Sequence, residues 1–264
     1  MTMTRRFLLT AAASTIITGN PARAAMPERL WEGFRSPVGM GFDAAGNLYI
    51  TEWSAGWVSR IAPDGSRSTF ADGLSGPSGL AVGPEGMIYV ASYSSDVVWR
   101  FTPDGQRSTH IIGLATPAGL SFDRAGRLMI ANRRTDEILT VEDGRLVPVI
   151  GGLRTPVGAV QTPDGGYVVS NIGGGVTIIR PNGTRVEAGQ DFTTPGPGIV
   201  QTRDGRVFVA DYGGTTVREI LMSGGSQVLA DGFSSPVGLV VSPDGRALLA
   251  ADWGNGAVWR IPLG

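Results

Sequence analysis

Six polar residues each close a short apolar segment. Glu52 ends Leu48-Tyr49-Ile50-Thr51, Asp211 ends Val207-Phe208-Val209-Ala210, and Ser92, Asn132, Asn171 and Asp252 hold the matching positions. Three carboxylates and two amides are the oxygen donors that Ca²⁺ takes, so Glu52, Asn132, Asn171, Asp211 and Asp252 form a candidate metal set. Glu52, Asp211 and Asp252 are also candidate catalytic bases for ester or lactone hydrolysis beside a Lewis-acid metal. The same set suits a cationic or polyhydroxylated ligand. A structural role competes with all of these. A short acid or amide at a strand end accepts hydrogen bonds from the N–H groups of the adjoining turn, and a position that recurs along the whole chain suits that role. Ser92, a poor metal ligand, fits it best.

The next residue is often aromatic, as at Trp53, Tyr93, Tyr212 and Trp253, and Arg133, followed by Arg134, is basic. Aromatic faces with polar neighbours build small-molecule pockets, so Trp53, Tyr93, Arg133, Tyr212 and Trp253 are candidate ligand-binding residues. Packing between structural elements is the competing fate of such side chains.

Composition removes other chemistries. The chain has no Cys and no Lys among its 264 residues, which excludes thiolate nucleophiles, disulfides and Schiff bases. A single histidine, His110, excludes a multi-histidine metal centre. Gly173-Gly174-Gly175 sits between two strand-like segments rather than before a helix, so it is a turn and not a phosphate loop.

The elements that hold these residues repeat. Ser36-Pro37-Val38-Gly39, Gly76-Pro77-Ser78-Gly79, Thr116-Pro117-Ala118-Gly119, Thr155-Pro156-Val157-Gly158, Pro195-Gly196-Pro197-Gly198 and Ser235-Pro236-Val237-Gly238 end on glycines 40, 40, 39, 40 and 40 residues apart. So regular a period marks a repeat architecture. Each repeat opens with a short apolar strand, turns at Gly46, Gly86, Gly126, Gly165, Gly205 or Gly245, runs through the second strand that ends on the polar residue, and continues into two more strands. Four strands per forty residues is one propeller blade, and the expected fold is an all-β, six-bladed β-propeller. The last repeat stops after its third strand at Trp259-Arg260-Ile261. Arg29–Phe34 matches the fourth strand of the first repeat, so the N-terminal strand is expected to complete blade six and close the ring.

Residues 1–24 carry Arg5, Arg6 and Arg23 without an acid, an apolar run over 7–18, and Ala22-Arg23-Ala24 as a small-residue cleavage pattern. This is an export signal, expected to be of the twin-arginine type on the strength of Arg5-Arg6-Phe7-Leu8-Leu9. The expected domains are therefore a signal peptide over 1–24 and a propeller over 25–264, located in the periplasm or secreted. Beyond residue 24, 19 Arg face 23 acidic residues, a balance of −4 that disfavours nucleic acid and anionic lipid as partners. No membrane span is expected after cleavage, and a monomer is.

The Pro-x-Gly openings, second strands such as Val209-Ala210-Asp211-Tyr212 and turns such as Pro63-Asp64-Gly65 resemble the propellers of the SMP-30/gluconolactonase and NHL-repeat superfamily. Leu48-Tyr49-Ile50-Thr51-Glu52 is similar to streptogramin lyase repeats. That resemblance implies lactonases, phosphotriesterases, lyases or pure binding domains on one fold. Lactonases of this kind hold a divalent metal on the axis through Glu, Asn and Asp at the inner-strand openings. Here those positions are Val38, Ser78, Ala118, Val157, Pro197 and Val237. The lyases use catalytic histidines, whereas His110 falls in an outer fourth strand. Two functions are expected: an exported propeller that binds, and as an enzyme hydrolyses, a small organic ligand at its central face, with Ca²⁺ or another divalent cation or with no cofactor; or a non-enzymatic NHL-like module that docks a protein or ligand.

Overall fold

The structure, a computed structural model, describes residues 25–264. The export signal expected over 1–24 lies outside the described residues. The chain folds into six four-stranded antiparallel sheets. In blade one the strands run Pro37–Phe42, Leu48–Glu52, Trp57–Ile61 and Arg67–Ala71 from the axis outward. Five more blades repeat this order, with innermost strands Pro77–Val82, Pro117–Phe122, Pro156–Gln161, Pro195–Gln201 and Pro236–Val241. The protein is an all-β six-bladed propeller. Among the described residues no helix is long and apolar enough to cross a membrane.

The second strand of every blade is buried throughout, for example Leu48–Glu52 and Val207–Asp211, save for the half-buried Tyr167 of blade four. Strand side chains alternate between the two faces of a sheet, and here both faces meet a neighbouring blade. Leu48 and Ile50 enter the apolar cluster between blades six and one, while Tyr49 enters the cluster between blades one and two. Val207 and Val209 likewise face blade four, and Phe208 and Ala210 face blade six. The result is six apolar clusters, one in each seam.

Two sets of glycines serve different ends. Those between the first and second strands adopt positive φ, from 72° at Gly245 to 92° at Gly165, as the hairpin turns demand. The glycines of the Pro-x-Gly openings have no such conformation. A Cβ at Gly39, Gly79, Gly119, Gly158, Gly198 or Gly238 would run into the carbonyl of the preceding position in the next blade, namely Ser78, Ala118, Val157, Pro197, Val237 or Val38. This glycine collar lets six backbones approach one another around the axis.

Glu28–Glu32 pairs antiparallel with Ala257–Pro262 and forms the fourth strand of blade six. The Phe34 N–H donates to the Gly256 carbonyl at 3.0 Å, as the Leu74 N–H donates to Gly56 at 2.8 Å in blade one. Both side chains are buried, so the two segments are equivalent. The N-terminal and C-terminal parts of the chain thus share one sheet.

Candidate functional site

The proline that opens each innermost strand lies opposite the polar residue that ends the second: Pro37 with Glu52, Pro77 with Ser92, Pro117 with Asn132, Pro156 with Asn171, Pro195 with Asp211 and Pro236 with Asp252. This register brings all six polar residues to one face. Their side chains turn to the loop that feeds the innermost strand. Each accepts from the backbone N–H seventeen residues earlier: Arg35 to Glu52 at 2.7 Å, Ser75 to Ser92 at 3.2 Å, Ala115 to Asn132 at 2.7 Å, Arg154 to Asn171 at 3.3 Å, Thr194 to Asp211 at 2.8 Å and Ser235 to Asp252 at 2.8 Å. Asp211 and Asp252 take a second loop amide, from Thr193 and Ser234. All six residues are buried, and none lines the central cavity.

Glu52 is bound further. Its Oε1 accepts from Ser59 Oγ at 2.5 Å and from Arg67 Nη2 at 2.6 Å. The Arg67 guanidinium in turn covers the Phe34 ring at 3.8 Å, which ties blade one to the ring closure. Burial pushes the Glu52 carboxyl up, but the hydrogen bonds from Ser59, the Arg35 N–H and Trp57, with the Arg67 charge, outweigh it, so Glu52 ionises below its ordinary value.

The residue after each polar strand end faces the axis. Trp53, Tyr93, Arg133, Ile172, Tyr212 and Trp253 ring a cavity of about 230 Å³, floored by Val38, Ser78, Ala118, Val157, Pro197 and Val237. All five candidate ligand-binding residues are therefore brought together. Ile172, the blade-four member, carries no aromatic or polar signal; only its register after Asn171 marks it. Trp53 stands at 5.1 Å from Tyr93 and 6.0 Å from Trp253, ring centre to ring centre. Trp53 and Trp253 also pack against the seam between blades six and one, so wall and seam share these side chains. Trp57 stays outside the cavity, where Arg35 stacks on it at 5.5 Å.

Arg133 is the charged group of the cavity wall. It starts a one-turn 3-10 helix, Arg133–Thr135, in the loop of blade three. Its Nη1 donates to Tyr93 Oη at 2.8 Å, and its Cζ lies 5.5 Å from the centre of the Tyr93 ring. Its Nε is buried without a hydrogen-bond partner among the described residues. No carboxylate of the described residues lies within ion-pair distance of Arg133, Arg134 or Arg154, whereas Arg67, Arg127 and Arg206 are all paired. Arg154 lies against Gly174, where a Cβ would strike its side chain. The face is thus aromatic on blades five, six, one and two and basic on blades three and four, while the carboxylates are spent on loop amides.

Below the collar the axis widens into a second cavity of about 430 Å³, lined by Met40, Phe42, Leu80, Leu120, Phe122 and Ile199 among others. His110 lines neither cavity; it sits on the fourth strand of blade two, edge-on to Tyr89 at 4.8 Å. Burial and then Arg100 hold its imidazole below the ordinary value, against an opposing pull from Glu85.

The cavity donors do not match a divalent cation. Among the described residues no three His, Cys, Asp or Glu side chains converge. The floor offers one side-chain oxygen, Ser78 Oγ, which already donates to backbone carbonyls at 3.0–3.3 Å.

No family model matches the chain, and no curated protein matches it in sequence. Solved structures do. A gluconolactonase from Xanthomonas campestris is 18% identical, with a TM-score of 0.76 over 92% of this chain and 97% of that one. A streptogramin B lyase is 16% identical, with a TM-score of 0.68 over 91% and 97%. A catalytically inactive virginiamycin B lyase from Staphylococcus aureus, solved with quinupristin, is 16% identical, with a TM-score of 0.69 over 89% and 83%. The chain shares its β-propeller fold with gluconolactonase and streptogramin lyase structures.

Proposed function

We propose that this protein is an exported six-bladed propeller that binds a small organic ligand in the cavity ringed by Trp53, Tyr93, Arg133, Ile172, Tyr212 and Trp253, and that it does so without a metal. The observation that carries the reading is the ring itself: six successive blades each send the residue after the polar strand end to one axial cavity. Concave sites with apolar walls and a few polar groups are where small ligands bind. A cavity of about 230 Å³ suits a compact ligand, below the roughly 300–1,000 Å³ typical of drug-sized molecules. The binding reading takes precedence over hydrolysis because no lining side chain is a carboxylate or imidazole able to act as a base. Export to the periplasm or beyond rests on the segment over 1–24.

A fragment library screened by shift in melting temperature tests the reading. A ligand at 100 times its Kd adds about 2.7 kcal/mol of stability. Fragments that raise the melting temperature of the protein and lose that effect in Trp53→Ala and Tyr93→Ala support it. Fragments whose effect survives both substitutions, or an absence of any, would overturn it.

A further inference from the structure

We propose that the ligand is a small aromatic carboxylate, gripped by Arg133 on the basic side of the cavity and stacked against the Trp53–Trp253 wall; this rests on the reading of the cavity as a ligand site. The geometry of Arg133 carries the assignment. Its Nη1 is held by Tyr93 Oη at 2.8 Å, which fixes the plane of the guanidinium. On the opposite edge Nε is buried with no hydrogen-bond partner among the described residues. A guanidinium offers Nε and Nη2 as two parallel donors, the arrangement that a planar carboxylate meets with both oxygens. A buried donor left unsatisfied is costly, and a ligand oxygen would remove that penalty. The charge is also uncompensated, since no carboxylate of the described residues pairs with Arg133 or with its neighbours Arg134 and Arg154. The acids that share this face, Glu52, Asp96, Asp136, Asp211 and Asp252, each accept from loop amides.

The body of the ligand follows from the rest of the wall. Two indoles at 6.0 Å and a phenol at 5.1 Å from the central one offer edges and faces to a flat ring. The floor is almost wholly aliphatic, which disfavours a sugar acid dense with hydroxyls. The cavity volume of about 230 Å³ suits one or two rings.

Calorimetric titration of the purified protein with 1-naphthoate, its neutral isostere 1-naphthamide and 1-naphthyl phosphate tests the inference. Naphthoate is expected to bind at one site, at least about tenfold more tightly than the amide, since hydrogen bonds to charged groups contribute about 1.5–3 kcal/mol, or roughly 10- to 100-fold. Arg133→Met is expected to erase that preference while naphthamide binding changes little. Arg133→Lys, which keeps the charge but not the paired donors, should fall between the two and serves if Arg133→Met melts far below the parent. Equal binding of naphthoate and naphthamide to the parent would overturn the carboxylate assignment and leave the ligand site standing. Tighter binding of the phosphate would replace carboxylate by phosphate. Failure of all three, with fragments of other chemistry still binding through Trp53 and Tyr93, would remove the aromatic acid alone; failure of those fragments as well would remove the site.

Discussion

Asp211 and Asp252 each hold two successive loop amides, and Glu52 holds one amide, a hydroxyl and a guanidinium. Their first effect is therefore on stability. Asp252→Ala would leave the Ser234 and Ser235 N–H groups without their acceptor and is expected to destabilise by about 2–4 kcal/mol in denaturant melts. For Glu52, removal of one partner of a buried ion pair costs about 3–5 kcal/mol; Arg67 is a third exposed, so the lower end applies to Glu52→Ala. The pH dependence has a definite sign. The folded carboxyl of Glu52 ionises below the ordinary 4.5, so its stabilisation is present in full above that value and is lost as pH falls through the lower folded value. Glu52→Gln should therefore flatten the acid side of the stability–pH curve below about pH 4.5 and alter it little near neutrality in slope. A curve parallel to that of the parent would show that other carboxylates govern acid unfolding.

At the scale of the strand and turn, two glycines of one blade make opposite demands. Gly238 has ordinary φ but no room, because its Cβ would overlap the Val38 carbonyl. Gly245 has room but a φ of 72°. Gly245→Ala should cost about 1 kcal/mol, the penalty of a left-handed alanine. Gly238→Ala must displace backbone across the ring and should cost about 3 kcal/mol or more. Equal costs in urea titrations would argue against the collar as a close-packed element. The turn glycines were legible in the sequence because turn chemistry is local. The collar glycines were legible only as a period, because the atoms that exclude a side chain belong to the next blade, forty residues away.

At the scale of the molecule, the ring is shut by Glu28–Glu32 in the sheet of Ala257–Pro262 and by Phe34 in the seam beside it. A chain starting at residue 35 would bare the edge of blade six and one side of the Arg67–Phe34 contact. It is expected to melt at least about 10 °C lower than the parent, on a scale of about 2–4 °C per kcal/mol for a protein of this size. A peptide spanning residues 26–35, added in trans, should restore part of the loss; no gain would mean that closure acts through the covalent link alone. Chelator should leave the melting temperature unchanged, since the oxygens of Glu52, Asp211 and Asp252 are already engaged by protein donors. A fall of several degrees on chelation would restore a metal to the ring.

The sequence by itself determined the blade count, the order of strands, the turn positions and the face on which Glu52, Ser92, Asn132, Asn171, Asp211 and Asp252 end. These follow from a period near forty, from alternation and from glycine chemistry, all of which act along the chain. It also marked Trp53, Tyr93, Arg133, Tyr212 and Trp253, since a residue one place beyond a strand end shares that face in every blade. The tertiary structure alone decided which way each side chain turns. A carboxylate at a strand end has loop amides on one side and the axis on the other, and the loop reaches it first, because every blade returns a backbone N–H from seventeen residues earlier to within 2.7–3.3 Å. The next residue has no such partner and turns to the axis, so aromatic rings and one arginine line the cavity where the acids do not.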